Sequence, residues 1–315
     1  MIDHKGKILV IRGGAIGDFI LTIPVFQALK KYFPQAELEV LGYPKVARLA
    51  VEAGWASQAK SIEDPGLVRF FAPRGPVPPE WQQYFSQFDI IISYLFDPDE
   101  IFKKNIEHSG KHHYIHGPHR PDEKLNIHAI DALLKPLEKL AVYESGWVPD
   151  LGRLMGTQSK PERKTIRIAM HPGSGSTLKN WPSERWTELI QHFSGVSDLE
   201  ILVVGGEAER ELCALIPTHL PQGKCRVFMN HPLDELARSL GECDAFIGHD
   251  SGISHLAAAI GVPSVVLWGP TNLNIWRPVG KHVTVIESDS GLPGITPRQV
   301  LREINRLLGK DRPVG

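Results

Sequence analysis

The segment DAFIGHDSGISHLAAAIGVPSVVLWGP, residues 244–270, gives the clearest indication of the fold class. DAFIGHD predicts a buried strand, SGISHLAAAIG predicts a helix that begins at about Ser251, and PSVVLWGP predicts the next strand. A strand, a helix and a second strand in this order join parallel neighbours of one sheet. The stretch is therefore typical of an open α/β sheet covered by helices on both faces.

The same alternation runs through the rest of the chain. KILVIR (7–12) predicts a strand, GGAIGD a loop, and FILTIPVFQALKKYF (19–33) a helix that ends before Pro34. TIRIAMHPGSGS and SERWTELIQHF repeat this order in the second half of the chain. We therefore expect two parallel α/β sheets, each with its ligand-binding side at the carboxyl ends of its strands.

The length of 315 residues predicts two domains, 1–150 and 151–315, separated by a polar linker at 143–164. The C-terminal helix can pack back on the N-terminal domain. Segment 64–81 is too rich in proline and glycine for a helix or strand, and 123–142 predicts a helix kinked at Pro136.

Composition excludes several classes of protein. The chain is 42% hydrophobic and 23% charged with a net charge of -1, which favours a soluble globular protein and gives no reason to expect nucleic-acid binding. With neither a membrane-spanning apolar run nor a signal peptide, we expect a cytoplasmic protein. Three cysteines without CxxC spacing predict neither disulfides nor a cysteine zinc site.

Polar residues gather where the strand in 244–250 ends. Asp250 and Ser251 precede the helix, Gly252 lets a ligand approach the backbone, and His255 lies one turn further on. Because the first amides of a helix lack partners and carry partial positive charge, this start suits an anion such as phosphate. Alternatively, Ser251 only caps the helix and Asp250 only favours its dipole.

Two more glycine-containing loops follow predicted strands of the second half. HPGSGSTLKNWP (171–182) offers Ser174, Ser176 and Thr177 as donors and Lys179 as a charge, or else is a plain surface loop. It lacks the GxxxxGK[ST] spacing of a Walker loop. In VVGGEAERE, Glu207 or Glu209 could accept hydrogen bonds from ribose hydroxyls, or both could only favour the next helix.

The first loop, RGGAIGD (12–18), does not fit the GxGxxG fingerprint of dinucleotide-binding proteins. Gly14 and Gly17 leave its backbone amides open to a ligand. Asp18, near a helix start, should be ionised and can accept a proton, although a capping role is the alternative.

Histidines crowd the segment 108–128 without the ordered spacing of a metal site. We interpret the segment as a solvated, weakly basic loop that meets an anionic partner. Its basic residues are His108, Lys111, His112, His113, His116, His119, Arg120, Lys124 and His128.

Taken together, the motifs resemble glycosyltransferase family nine, the ADP-heptose:lipopolysaccharide heptosyltransferases. The likeness rests on GDFILTIP, HPGSGSTLKNWP, VVGGE and, most specifically, GHDSGISHLAAAIGVPSVVLWGPT. It implies a GT-B fold, in which two Rossmann-like domains with parallel sheets face each other across a cleft. It also implies transfer of a heptose from ADP-heptose to a lipopolysaccharide core acceptor, with inversion. We expect no metal cofactor, because several helix amides and Lys179 could replace the magnesium that other transferases require.

The resemblance also implies roles for individual residues. Asp18 matches the general base, and Lys179 matches the lysine that contacts the charged groups of the donor. The first loop departs from the pattern because it carries glycines where serines are common. The remaining donor-side matches are the diphosphate-binding helix start (Asp250, Ser251, Gly252, His255), the following turn (Thr271) and a ribose-binding acid (Glu207 or Glu209).

Such an acceptor is lipid-linked, so the resemblance implies transient contact with the inner membrane face. Local charge makes Arg69, Arg74, Lys103, Lys104 and Lys111 the candidates for this contact. Two other functions stay open: a sugar-nucleotide epimerase or hydrolase of the same fold, and a non-catalytic nucleotide-binding module.

Overall fold

The computed structural model describes residues 6–73, 77–156, 163–309 and 314. The chain forms two compact units, Met1–Trp147 and Val148–Gly315. Each unit is built on one sheet whose strands are all parallel, which confirms the predicted fold class. Arg74 and positions 157–162 of the expected linker lie outside the described residues.

The first unit contains a five-stranded sheet in the order β3-β2-β1-β4-β5. Its strands are β1 (Lys7–Arg12), β2 (Glu37–Gly42), β3 (Gln58–Ser61), β4 (Ile90–Ser93) and β5 (His113–His116). Its α-helices are α1 (Ile16–Ile20), α2 (Ile23–Tyr32), α3 (Pro44–Glu52), α4 (Pro79–Phe85), α5 (Ile101–Glu107) and α6 (Ala129–Leu134). Short 3-10 helices span Pro65–Phe71, Glu123–Leu125 and Lys135–Leu140.

The strand order of this sheet reverses at β1, because β2 and β3 lie on one side of it and β4 and β5 on the other. Right-handed crossovers that run in opposite directions place their helices on opposite faces, so β1 is covered on both. Its residues Ile8–Ile11 are accordingly apolar and buried. Ligands of such sheets bind where the order reverses, at the carboxyl ends of the strands, and there Gly13–Asp18 follow β1.

The predicted helix 19–33 is two helices, α1 and α2, separated at Leu21–Thr22. The cause is Pro24, whose ring excludes a continuous helix and which stands instead in the first turn of α2. The predicted helix 123–142 is interrupted after Leu125, where Asn126 adopts a left-handed conformation, and resumes with α6 at Ala129. The predicted kink at Pro136 is a change of helix type, from α6 to the 3-10 helix Lys135–Leu140.

Two loop predictions were partly wrong. Segment 64–81 contains the 3-10 helix Pro65–Phe71 and the start of α4, since proline is compatible with a first helical turn. The histidine-rich segment contains β5, an edge strand that pairs with β4 and has the buried Ile115 between the half-buried Tyr114 and the exposed His116. The strand was not predicted because most of its residues are polar.

The second unit contains a six-stranded sheet in the order β11-β10-β9-β6-β7-β8. Its strands are β6 (Ile166–Met170), β7 (Leu199–Gly205), β8 (Cys225–Met229), β9 (Ala245–His249), β10 (Ser264–Leu267) and β11 (Val283–Ile286). Its α-helices are α7 (Ser183–Ser194), α8 (Arg210–Leu215), α9 (Leu233–Gly241), α10 (Gly252–Ala259), α11 (Leu273–Trp276) and α12 (Pro297–Leu308). Short 3-10 helices span Gly152–Met155, Thr177–Lys179, Glu207–Glu209, Ile216–His219 and Leu292–Gly294.

Here the strand order reverses between β6 and β9, so the loops that follow these two strands flank the expected ligand crevice. The core beneath them includes Trp181, Trp186 and Phe193 from the β6–α7 connection and α7. The C-terminal helix α12 packs on α7 and on β10 of its own unit. Residues 151–155 also belong to this unit, since Leu151 donates its N–H to the carbonyl of Ala259 and the 3-10 helix packs on α9.

Candidate functional site

Asp250 is the centre of a polar cluster at the carboxyl edge of the second sheet. It follows β9, and its carboxylate is mostly buried. Lys179, from the loop after β6, donates from Nζ to Oδ2 at 2.6 Å. Thr271, from the turn after β10, donates its hydroxyl to the same oxygen. Three residues singled out from the sequence therefore meet where three adjacent strands end.

The pairing with Asp250 changes the expected role of Lys179. An unpaired aspartate at this position would repel an anionic ligand, whereas Lys179 compensates its charge and Thr271 adds a hydrogen bond. An ammonium group has three N–H donors, and the described contacts engage one of them. Two donors of Lys179 thus remain for a ligand.

The helix start predicted at Ser251 is present. Ser251 is the N-cap of α10, and its Oγ accepts the N–H of Ser254 at 3.4 Å. The same Oγ lies 3.3 Å from Nδ1 of His171, the residue that follows β6. Gly252 begins the helix, and His255 is buried within its first turn. The capping role of Ser251 is therefore real, and α10 begins at the carboxyl edge of the sheet, directly after β9.

The hydroxyl groups in the loop after β6 differ in whether they are hydrogen-bonded within the loop or exposed. The hydroxyl of Ser174 is used inside the loop, with the carbonyl of Ser176 at 2.9 Å and Oδ1 of Asn180 at 2.8 Å. Ser176 and Thr177 are exposed. The latter two are accordingly the hydroxyls of this loop that are open to a ligand.

His249 holds this loop in place and was missed by the sequence analysis as a site residue. It is fully buried, its Nε2 accepts the N–H of Trp181 at 2.9 Å, and its Nδ1 donates to the carbonyl of Gly173 at 3.2 Å. Burial lowers the pKa of His249 to about 3 and that of His171 to about 4, so both rings are neutral at pH 7. The only sequence signal for His249 was its position as the last residue of a buried strand.

The two candidate acids after β7 have different surroundings. Glu209 is buried and accepts hydrogen bonds from the N–H groups of Gly206 at 2.8 Å and Gly175 at 3.3 Å. It therefore links the loop after β7 to the loop after β6. Glu207 is exposed and pairs with Arg210 and Asn230. Gly173 packs so closely on Glu209 that a Cβ there would lie 2.0 Å from its Cγ.

Asp18 belongs to the first unit and lies in the first turn of α1. Its Oδ2 accepts the N–H of Ala15 at 2.9 Å, and its Oδ1 lies 3.6 Å from Nη2 of the buried Arg12. The side chain is 30% exposed, so the carboxylate is at once a capping group and open to solvent. Gly14 adopts a φ of +100°, and a Cβ there would stand 2.9 Å from Oδ2 of Asp18. Gly17 lies within α1, and its carbonyl accepts the N–H of Leu21.

No group of three or more histidine, cysteine, aspartate or glutamate side chains within the described ranges has the geometry to hold a metal ion. None of the helices in the described part of the chain combines the length and apolarity that a bilayer crossing requires.

Comparisons with known proteins agree with these motifs. Residues 150–296 match the model of glycosyltransferase family 9 (heptosyltransferase). Lipopolysaccharide heptosyltransferase 2 of Escherichia coli is 29% identical over 45% of this chain and 46% of its own length. Lipooligosaccharide heptosyltransferase 2 of Haemophilus influenzae is 22% identical over 96% of this chain and 100% of its own length.

Solved structures share the fold. The structure of E. coli ADP-heptose LPS heptosyltransferase II superposes with a TM-score of 0.77 at 20% identity, covering 97% of this chain and 99% of that one. The iron-containing dodecameric glycosyltransferase TibC of E. coli superposes with a TM-score of 0.58 at 16% identity, covering 96% of this chain and 76% of that one.

Proposed function

We propose that this chain transfers a heptose from ADP-heptose to a lipopolysaccharide core acceptor with inversion, because residues 150–296 match the model of glycosyltransferase family 9 and each unit has the Rossmann-like sheet of a GT-B glycosyltransferase. The proposed donor-binding site rests on the hydrogen bonds of Lys179 and Thr271 to Asp250, beside the start of α10. These groups lie at the reversal of strand order, where such sheets bind ligands.

The chemistry requires an anion stabiliser for the leaving group. When the bond between the anomeric carbon and the diphosphate breaks, negative charge grows on the diphosphate and positive charge on the sugar ring. The amides of Ser251 and Gly252 and the free donors of Lys179 would bind the diphosphate. Ser176, Thr177 and Thr271 would add hydroxyl contacts, and His255 lies in the same helical turn.

Asp18 would act as the general base, which removes the proton of the acceptor hydroxyl as its oxygen attacks the anomeric carbon. Its partial exposure and its position after β1 support this role. Gly14 and Gly17 would let the acceptor approach the backbone of this loop.

For the ribose of the donor we propose Glu209 rather than Glu207. A carboxylate held by two backbone amides has a fixed orientation, whereas Glu207 is neutralised by Arg210 at the surface. Each oxygen of Glu209 has a further lone pair for a ribose hydroxyl.

We propose that transfer needs no metal, because Lys179 and the helix amides can supply the charge stabilisation that a metal provides elsewhere. Activity after exhaustive treatment with EDTA supports this, and activity restored only by added metal contradicts it.

Contact with an anionic membrane is part of the proposal, since the acceptor is lipid-linked. Arg69 and Lys111 are exposed, whereas Lys103 pairs with Glu100 and Lys104 donates to the carbonyl of Asp99. Arg69 and Lys111 are therefore the better candidates. The affinity for vesicles that contain anionic lipid should fall as the salt concentration rises. An affinity that does not depend on salt concentration contradicts this contact.

The experiment that tests the function is incubation with ADP-heptose, with and without deacylated core lipopolysaccharide, followed by analysis of ADP and sugar products. ADP release that depends on the acceptor, with a heptosylated product, supports transfer. Epimerised or hydrolysed donor without acceptor supports the alternative enzyme, and ADP binding without turnover supports a binding module.

A further inference from the structure

Three ring-bearing side chains follow strands β2, β4 and β5 at the carboxyl edge of the first sheet. Tyr43 follows β2 and is 42% exposed, Phe96 follows β4 and is 66% exposed, and His119 follows β5 and is exposed. Since β1 lies between β2 and β4, these rings share an edge with the segment that carries Asp18. Single exposed aromatic residues are common, whereas these three follow strands that end at the same edge of one sheet.

Phe96 and His119 make direct contact. Their ring centroids are 4.7 Å apart and the rings are inclined at 63°, an edge-to-face arrangement. His119 therefore buttresses Phe96 while most of the phenyl ring stays open to solvent. A ring held in this way offers rigid apolar area at a low cost in conformational entropy.

A buried arginine joins this pair to Asp18. Arg12, at the end of β1, is 3% exposed and donates from Nη1 to the carbonyl of His119 at 2.8 Å. Its Nη2 donates to the carbonyl of Asp18 at 3.4 Å and lies 3.6 Å from the carboxylate. One guanidinium thus fixes the His119 segment and the Asp18 segment relative to each other.

We propose that Phe96, buttressed by His119, is a platform on which a pyranose ring of the acceptor saccharide stacks, and that Arg12 is a positioning residue that keeps this platform in register with Asp18. The inference rests on the proposed function, and it assigns acceptor-binding residues. A pyranose has an apolar face of C–H groups and a rim of hydroxyls. Such a ring suits an exposed phenyl ring beside a carboxylate that accepts a hydroxyl proton.

The test compares Phe96→Ala with Phe96→Trp and with a matched control, Val68→Ala. Val68 is also exposed and apolar and lies in the same unit, on the 3-10 helix Pro65–Phe71. With deacylated core oligosaccharide as acceptor, Phe96→Ala should raise the acceptor KM about tenfold and leave kcat and the donor KM unchanged. Phe96→Trp should restore the KM, and Val68→Ala should not alter it.

Saturation-transfer NMR supplies a readout that does not need turnover. The same oligosaccharide, mixed with the wild-type chain or with Asp18→Asn, should receive saturation from aromatic protons, and Phe96→Ala should strongly reduce this saturation. An unchanged NMR saturation of the oligosaccharide with Phe96→Ala, or an unchanged acceptor KM, contradicts the role of Phe96 as a platform. Either result leaves the proposed heptose transfer intact. A loss of vesicle binding in Phe96→Ala without any loss of oligosaccharide binding assigns the ring to the membrane and also overturns it.

Discussion

His249 accepts the main-chain N–H of Trp181 across the end of β9, with 2.9 Å between Nε2 and the nitrogen, while its other ring nitrogen donates to Gly173. One neutral imidazole therefore closes both ends of the loop that carries Lys179. Because the loop is held before any ligand arrives, Lys179 needs little reordering to act on a donor.

His249→Leu should leave a buried donor and a buried acceptor without partners, and the free energy of unfolding should fall by about 2–4 kcal/mol. His249→Gln keeps a partner for Trp181, so it should lose less and keep more donor affinity. Urea denaturation and the donor KM measure both effects. His231→Leu is the control, because His231 is exposed, and it should change stability by under about 0.5 kcal/mol. Equal effects of the two leucine variants contradict the role of His249.

Stability should fall as the pH is lowered below 6.5. Burial lowers the pKa of His171 from 6.5 to about 4 and that of His249 to about 3. Above pH 6.5 these rings are neutral in both states, and below it the unfolded chain binds protons that the folded chain does not. Each buried histidine then removes about 1.4 kcal/mol per pH unit until its folded pKa is reached.

Urea denaturation at pH 7.5 and 5.5 isolates the contribution of one ring when the wild type is compared with His249→Gln. The variant should lose about 1.4 kcal/mol less over this interval. If the two proteins lose the same stability, His249 binds a proton equally well in the folded and unfolded states, which contradicts a lowered pKa for this ring.

Lys179→Met should lower kcat by about 10²- to 10³-fold and weaken ADP binding, because it removes charge stabilisation from the leaving diphosphate. It also leaves the carboxylate of Asp250 without its cation, so the remaining site is more repulsive to an anion. Arg185→Met is the control, since it removes an exposed cation that pairs with Glu188 on α7. An unchanged affinity for ADP, measured by calorimetry, would show that Lys179 neutralises Asp250 and does not contact the diphosphate.

Gly14→Ala should lower activity through Asp18. The backbone at Gly14 has a φ of +100°, and the added Cβ would meet Oδ2 of Asp18 at 2.9 Å. Gly146→Ala is the matched control, because it has a φ of +73° and open space around it. Both variants should lose about 1–2 kcal/mol of stability from the strained backbone, and only Gly14→Ala should lower kcat as well. Equal kcat values contradict the link to Asp18.

Apolar periodicity was sufficient to predict the parallel α/β architecture of each unit, because strands such as β1 and β9 are buried on both faces and read as continuous apolar runs. Short edge strands escaped prediction. β3 and β5 are half exposed and polar, and their pairing with β2 and β4 decides their conformation more than their own residues do.

The donor-side cluster was predictable in part, since glycine, serine and acidic residues follow buried strands. Its internal pairing was not predictable, because the contact between Lys179 and Asp250 joins positions 71 residues apart. Likewise, the different roles of Glu207 and Glu209 depend on which of them turns inward to the amides of Gly175 and Gly206. Arg12 was missed for the same reason, as its partner His119 lies 107 residues away.

The role of Asp18 as general base is tested by the rate of heptose transfer by Asp18→Asn, measured together with the affinity of this variant for ADP. Asparagine can still accept the N–H of Ala15, so the first turn of α1 should be preserved. We predict that the rate of transfer falls by about 10²- to 10⁴-fold, while the Kd for ADP changes by less than about twofold. A transfer rate within a few-fold of the wild type would exclude Asp18 as the general base, because an amide without basicity would then serve as well as the carboxylate.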